Sequence, residues 1–134
     1  MSKVALAAAL LLAAVPFAAL HAAPMSGAEI RARSGGGEFR GFGATPRSPL
    51  EDMIWRFRPD GSVTSISTIR RRAGPSSQFE EYHDAGSWRV EGDRLCVDFA
   101  AAHRAFSGCY GVDGTGGDHV RLVGPVLLEG TLSR

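Results

Sequence analysis

Lysine occurs once in this 134-residue chain, cysteine twice and histidine four times, and each shortage removes a class of function. The one lysine is Lys3, so beyond the N-terminal segment 14 arginines face 14 acidic side chains and the formal charge is zero. A chain without net positive charge lacks the long-range field that drives binding to nucleic acid or to an acidic membrane surface. No His-x-His, His-x-x-x-His or Cys-x-x-Cys spacing occurs, whereas a zinc centre needs three or four converging ligands. No Gly-x-Ser-x-Gly elbow is present either, so the turn that exposes the nucleophile of the α/β-hydrolases is missing.

Long apolar runs are also scarce. The one example, Val4 to Leu20, is broken only by Pro16, follows Lys3 and precedes the small residues Ala22 and Ala23. Charged start, apolar stretch and small-residue exit are the order of a signal peptide. Cleavage is expected near Ala22 or Ala23. The stretch is about 17 residues and rich in Ala, at the short end for a spanning helix. No cysteine sits near the exit to carry a lipid. The expected product is a periplasmic or secreted chain of about 111 residues with no membrane span, long enough for one domain and too short for two. That domain covers 24–134, with 24–37 as a helix and a glycine-rich arm.

Cys96 and Cys109 are an even pair in an oxidising setting, which reads as one structural disulfide. It closes a loop of about 14 residues, worth about 3 kcal/mol in the chain-entropy model. If Cys96 sits opposite Cys109, Leu95 opposes Tyr110, Val97 opposes Gly108 and Phe99 opposes Phe106. The apolar pairs then occupy one face and the cysteines the other. The bridge is expected on the outer side of the sheet or near an edge, with 100–105 as an extended loop.

The rest of the chain is strand-like. Ser26 with Glu29 has the form of a capping box, predicting a short helix over 27–33 that Gly35, Gly36 and Gly37 terminate. Strands follow: 38–42, then 53–57 with Met53, Trp55 and Phe57 alternating against Arg56 and Arg58. After the Pro59-Asp60-Gly61 turn comes 62–69, whose apolar residues Val63, Ile66 and Ile69 fall three apart, predicting a bulge or twist. Arg70 to Arg72 read as a solvated loop. Segments 78–84 and 85–90 read as one bent strand or two short ones, and Glu91-Gly92-Asp93 as a turn. Tyr110 and Val112 then lead to a glycine-rich turn over 113–118 and two further strands. Seven to eight short strands with no strong internal helix predict a mainly β domain, a small antiparallel barrel or sandwich.

The run Gly86-Ser-Trp88-Arg-Val-Glu-Gly92-Asp93-Arg-Leu95-Cys96, followed by Cys109-Tyr110, resembles small secreted bacterial proteins of an uncharacterised domain-of-unknown-function family. Met25 to Ile30 and the Pro59 to Gly61 turn extend the resemblance over nearly the whole mature chain. It implies a fold and an envelope setting, with no activity to carry over. The chain is more loosely similar to lipocalin-like barrels and to bacterial secreted inhibitors of metalloproteases. Those inhibitors place an extended arm in the protease cleft, whereas Pro24 to Arg33 reads as helical here. Likeness of fold is a weak warrant for function.

Candidate chemistry is thin. His83, His103 and His119 stand apart at turns and strand ends, where histidines are usually solvated. Asp113 and Asp118 flank glycines without the alternating ligands of a calcium loop. His103 reaches Ser107 only if its loop folds back, and no orienting acid is evident. Glu80 and Glu81 point to opposite faces of a strand. No catalytic, cofactor-binding or metal-ligating residue is assigned, and no cofactor is expected. Trp55, Phe57, Trp88 and Tyr110 either line a ligand cup or fill the core of a small domain, and core filling is favoured. The expectation is a non-enzymatic secreted module, binding or inhibitory, with an envelope protein or a small apolar ligand as partner. A small hydrolase or metal-dependent enzyme using one of the histidines, and a structural envelope protein associating through edge strands or Arg70 to Arg72, are the alternatives.

Overall fold

The computed structural model describes residues 22–73 and 76–134; nearly all of the signal segment expected from the sequence, 1–21, lies outside the described residues. The elements run β1 Ala23–Pro24, α1 Gly27–Ser34, β2 Glu38–Gly43, β3 Glu51–Phe57, β4 Ser62–Ala73, β5 Ser76–Glu91, β6 Arg94–Phe99, a single 3₁₀ turn Arg104–Phe106, β7 Gly108–Gly116, β8 His119–Val123 and β9 Leu127–Ser133. Each strand from β2 to β9 pairs antiparallel with the next, β9 returns to β2, and an eight-stranded up-and-down barrel closes. Closure of this kind removes most of the free edges that an open sheet leaves. At the closing seam Gly41 lies opposite Gly130, and a methyl group on Gly130 would run into the Arg40 carbonyl. β1 adds a two-residue strap to β7 beyond the end of β6.

Alternation fixes what lies inside. Glu51, Met53, Trp55 and Phe57 of β3 are all buried, as are Leu95, Val97 and Phe99 of β6. Trp55 sits at the centre, with ring centroids 5.5 Å from Phe39, 5.5 Å from Phe99, 5.8 Å from Tyr110, 6.3 Å from Phe106 and 6.5 Å from Phe57. The barrel interior is therefore packed with aromatic rings, whose edge-on contacts each add about 0.5–1.5 kcal/mol beyond their burial. Trp88 is half-buried against Phe57 and donates its indole N–H to the Arg58 carbonyl at 2.7 Å. The four aromatics singled out from the sequence are thus core and rim rather than the lining of an open cup.

Both barrel ends are covered. At one end α1 carries the expected capping box, with Ser26 Oγ accepting from Glu29 N at 3.2 Å and Ser26 N donating to the Glu29 carboxylate at 3.0 Å. Its N-terminus is tied to the β5–β6 turn, where Gly27 N donates to Asp93 at 2.7 Å, and its Ile30 is buried in the core. The other end is covered by the 44–50 loop and by the segment after β6.

Several expectations are corrected here. β4 has no bulge: its register against β3 and β5 runs without a shift, and the three-residue spacing arises because inward positions 65 and 67 are serines while Ile66 points outward. Arg70 to Arg72 belong to β4 rather than to a loop, because β5 pairs with them through Ser77 to Phe79. Of the two alternatives for 78–90, the single strand is the one found, and it spans Ser76–Glu91. β7 runs through the glycine-rich segment to Gly116, with an irregularity at Gly114 and Gly116. The disulfide hairpin has the expected register for Leu95–Tyr110, Cys96–Cys109 and Val97–Gly108, and the bridge is formed. Phe99 and Phe106 are not paired, since the β6–β7 ladder ends at the Val97–Gly108 pair. Cys96 lies on the outer face as expected but is 1% exposed, beside Arg89 and Glu91 of β5.

Candidate functional site

The largest departure from the sequence reading is the segment 100–106. Instead of an extended loop it folds back over the barrel end and inserts His103, which is fully buried. Asp84 of β5 holds the fold in place: its carboxylate accepts the N–H groups of Ala101 at 2.9 Å, His103 at 2.8 Å and Ala85 at 2.8 Å. Burial alone would push this carboxyl up, but the three N–H bonds together outweigh it and hold its pKa below the ordinary aspartate value. Tyr110 contributes from below, donating its hydroxyl to the Phe106 carbonyl at 2.7 Å. Burial pushes the Tyr110 phenol far up, so it stays a donor.

Around His103 the barrel end is polar. Ser67 Oγ lies 2.8 Å from His103 Nε2 and donates to Glu51 Oε1 at 2.5 Å. Glu51, with no exposed surface, also accepts from Arg47 at 2.5 Å and from Thr45 Oγ1 at 2.6 Å. The Arg47 guanidinium stacks over the Tyr82 ring at 4.1 Å. A buried carboxylate is tolerable only when paired and fully hydrogen-bonded, and Glu51 meets that condition with three partners.

Counting protons assigns the tautomer. Glu51 as a carboxylate only accepts, so the single Ser67 proton goes to Glu51. Ser67 Oγ must then accept from His103, which places the imidazole proton on Nε2 and leaves Nδ1 as a bare acceptor. Burial pushes the His103 pKa below its ordinary value, and the nearby Arg47 charge acts in the same direction. Asp84 and Glu51 only partly offset them. His103 is therefore a neutral imidazole at pH 7.

These residues have the composition of a Ser–His–acid nucleophile but not its connectivity. In a working triad the histidine takes the serine proton and the acid orients the other imidazole nitrogen. Here the acid takes the serine proton and Nδ1 has no partner among the described residues. Ser67 is 1% exposed, so no substrate carbonyl reaches it. The arrangement can lock a barrel end; it cannot attack.

The remaining candidates are dispersed. His83 is exposed on the outer wall and pairs with Glu81 at 2.5 Å, and His119 lies on the outer wall beside Phe42 and Arg121. Ser107 does not meet His103 but accepts the Phe99 N–H at 2.9 Å. Among the described residues one group is within metal-ligand reach of itself, Glu91 with Cys96 and Cys109, and the disulfide occupies both sulfurs. Among the described residues, open hollows lie on the outside, including one of about 360 Å³ between Phe42, Leu50 and Leu127 and one of about 490 Å³ between Leu50, Arg70 and Phe79.

Sequence reasoning missed Glu51, Ser67, Arg47 and Asp84. A signal was present: Glu51 is in phase with Met53, Trp55 and Phe57, and Ser65 and Ser67 are in phase with Val63 and Ile69. Polar residues in the inward phase of an otherwise apolar strand mark a buried polar site. No protein-family model, curated protein or solved structure matches this chain.

Proposed function

We propose that this chain is an exported, non-enzymatic β-barrel module, binding or inhibitory in action, which works in the periplasm or outside the cell and recognises its partner with its outer wall. The observation that carries the reading is the occupied interior: five aromatic rings surround Trp55, and the one Ser–His contact is sealed beneath Arg47 and the 100–106 segment. Binding then falls to exposed features, either an envelope protein or a small apolar ligand held in an outer hollow. The Cys96–Cys109 bridge is consistent with an oxidising compartment.

The 2.8 Å contact between Ser67 and His103 is the single observation favouring a small hydrolase, and its reversed proton order and burial weigh against it. The test pairs affinity capture from an envelope extract with a panel of apolar ligands, using the purified mature chain. Specific capture of an envelope protein, or a ligand whose contacts map to the outer wall, supports the module. Neither partner nor ligand, or labelling of Ser67 by a serine-directed phosphonate, removes it.

A further inference from the structure

The barrel is closed along most of its height, but β5 outruns its neighbour. β5 spans Ser76–Glu91, while β6 pairs with it only from Gly86 to Glu91. The direction of each backbone group along β5 follows from two bonds. Trp88 N donates to the Gly61 carbonyl on the β4 side at 2.9 Å, so even-numbered residues of β5 face β4. The Ala85 carbonyl accepts from Ala100 N at 3.3 Å on the other side, so odd-numbered residues face away. After Phe99 the chain turns inward at Asp84, and β6 has no pair with β5 beyond Gly86. Phe79, Glu81 and His83 consequently present three N–H and three C=O groups on an edge with no strand opposite among the described residues.

We propose that this edge accepts an extended basic segment of another protein as an added antiparallel strand. The inference rests on the binding-module reading and names its partner. Main-chain pairing supplies affinity in strand addition, and alternate side chains supply selectivity. From 79 to 83 the edge spans about 13 Å at 3.3 Å per residue, room for three doubly bonded residue pairs. Its own charges choose the partner. Glu81 is the acidic side chain on the outward face of this edge: Glu80 and Asp84 point to the other face, where Arg71 of β4 pairs with Glu80 at 2.8 Å and three main-chain N–H groups occupy Asp84, while Glu81 has His83 beside it. An antiparallel copy of this strand centred on position 81 would set Glu81 against Glu81, a like-charge pair that disfavours self-association. A strand with Arg or Lys facing Glu81 and an aliphatic residue facing Phe79, which is 63% exposed with the Arg70 guanidinium 5.2 Å from its ring centroid, satisfies both.

The test uses the whole mature chain and a synthetic strand peptide with Ile, Arg and Thr placed to face Phe79, Glu81 and His83. Backbone NMR shifts should saturate over 79–83. N-methylation of the peptide amides that face the edge should weaken binding by about tenfold or more, and Glu81→Arg should weaken it about tenfold while favouring the same peptide with Glu for Arg. Glu81→Pro removes only an outward N–H, so the β4–β5 ladder survives, and circular dichroism and thermal unfolding verify that it folds. It should abolish peptide binding. Shifts mapping elsewhere, indifference to N-methylation, or concentration-dependent self-association lost in Glu81→Pro would overturn the proposal. An envelope protein captured equally by wild type and Glu81→Pro would overturn the edge and leave the outer-wall module standing; no capture, no peptide binding and no apolar ligand would remove both.

Discussion

Ser65 and Ser67 offer an internal control for the polar barrel end. They lie two residues apart on the same face of β4, each 1% exposed, yet their hydroxyls are in opposite situations. Ser67 bonds to both Glu51 and His103, while Ser65 Oγ has no partner among the described residues. Ser67→Ala deletes the hydrogen bonds to Glu51 and His103, worth about 1 kcal/mol each, together with a long one accepted from Arg47 at 3.4 Å, and leaves the His103 Nε2–H buried without an acceptor at a cost of about 1–3 kcal/mol. Allowing for relaxation, a loss of about 3 kcal/mol is expected. Ser65→Ala removes an unsatisfied hydroxyl and should be neutral or stabilising by up to about 1 kcal/mol. At about 4 °C per kcal/mol for a domain of this size, the two variants should melt roughly 12–16 °C apart. Urea unfolding followed by tryptophan fluorescence, together with calorimetry, reads the difference. Equal effects, or Ser65→Ala as the weaker protein, would refute the assigned network.

The same site makes stability depend on pH. With its folded pKa below the unfolded value of about 6.5, His103 binds fewer protons folded than unfolded, so stability rises with pH through that window and is complete above about 6.5. Denaturant midpoints between pH 5 and 7.5 should therefore fall towards acid, and His103→Gln should flatten the slope; an unchanged slope would detach His103 from it. Replacing both Cys96 and Cys109 by serine should cost about 3 kcal/mol, and non-reducing mass spectrometry of the wild type should find the chain two hydrogens light. Gly130→Ala, whose methyl meets the Arg40 carbonyl at the β2–β9 seam, should force the seam apart and cost about 2–3 kcal/mol. Amide exchange should rise selectively at Phe39, Arg40 and Thr131.

The strand count, the capping box at Ser26 and the disulfide register were legible because each rests on short-range pattern. Met53, Trp55 and Phe57 declare a buried face by alternation alone, and the two-residue turn at Gly92 and Asp93 fixes the pairing of the strands around it. The polar barrel end was not legible, because Glu51, Ser67, Asp84 and His103 come from four segments that only closure brings together. The serines of β4 even disguised the strand's phase, since alternation is read from apolar residues and here the inward positions are polar. Residues 100–105 read as an extended loop from the hairpin register; the burial of His103 depends on Asp84, which no local pattern links to the amides of Ala101 and His103. The open edge of β5 was equally hidden, because it depends on where β6 stops.

A full interior leaves recognition to the outer wall. An NMR titration of residues 24–134 with a long-chain apolar ligand, watching the two indole N–H signals, separates this arrangement from an open cup. Trp55 is fully buried and Trp88 is half-buried at the rim, so the account predicts that the Trp55 resonance stays fixed at saturation while any shifts map to the outer wall. A saturable shift of Trp55, with Phe99, Phe106 and Tyr110 moving alongside it, would mean that the barrel opens to hold a ligand and would contradict the account.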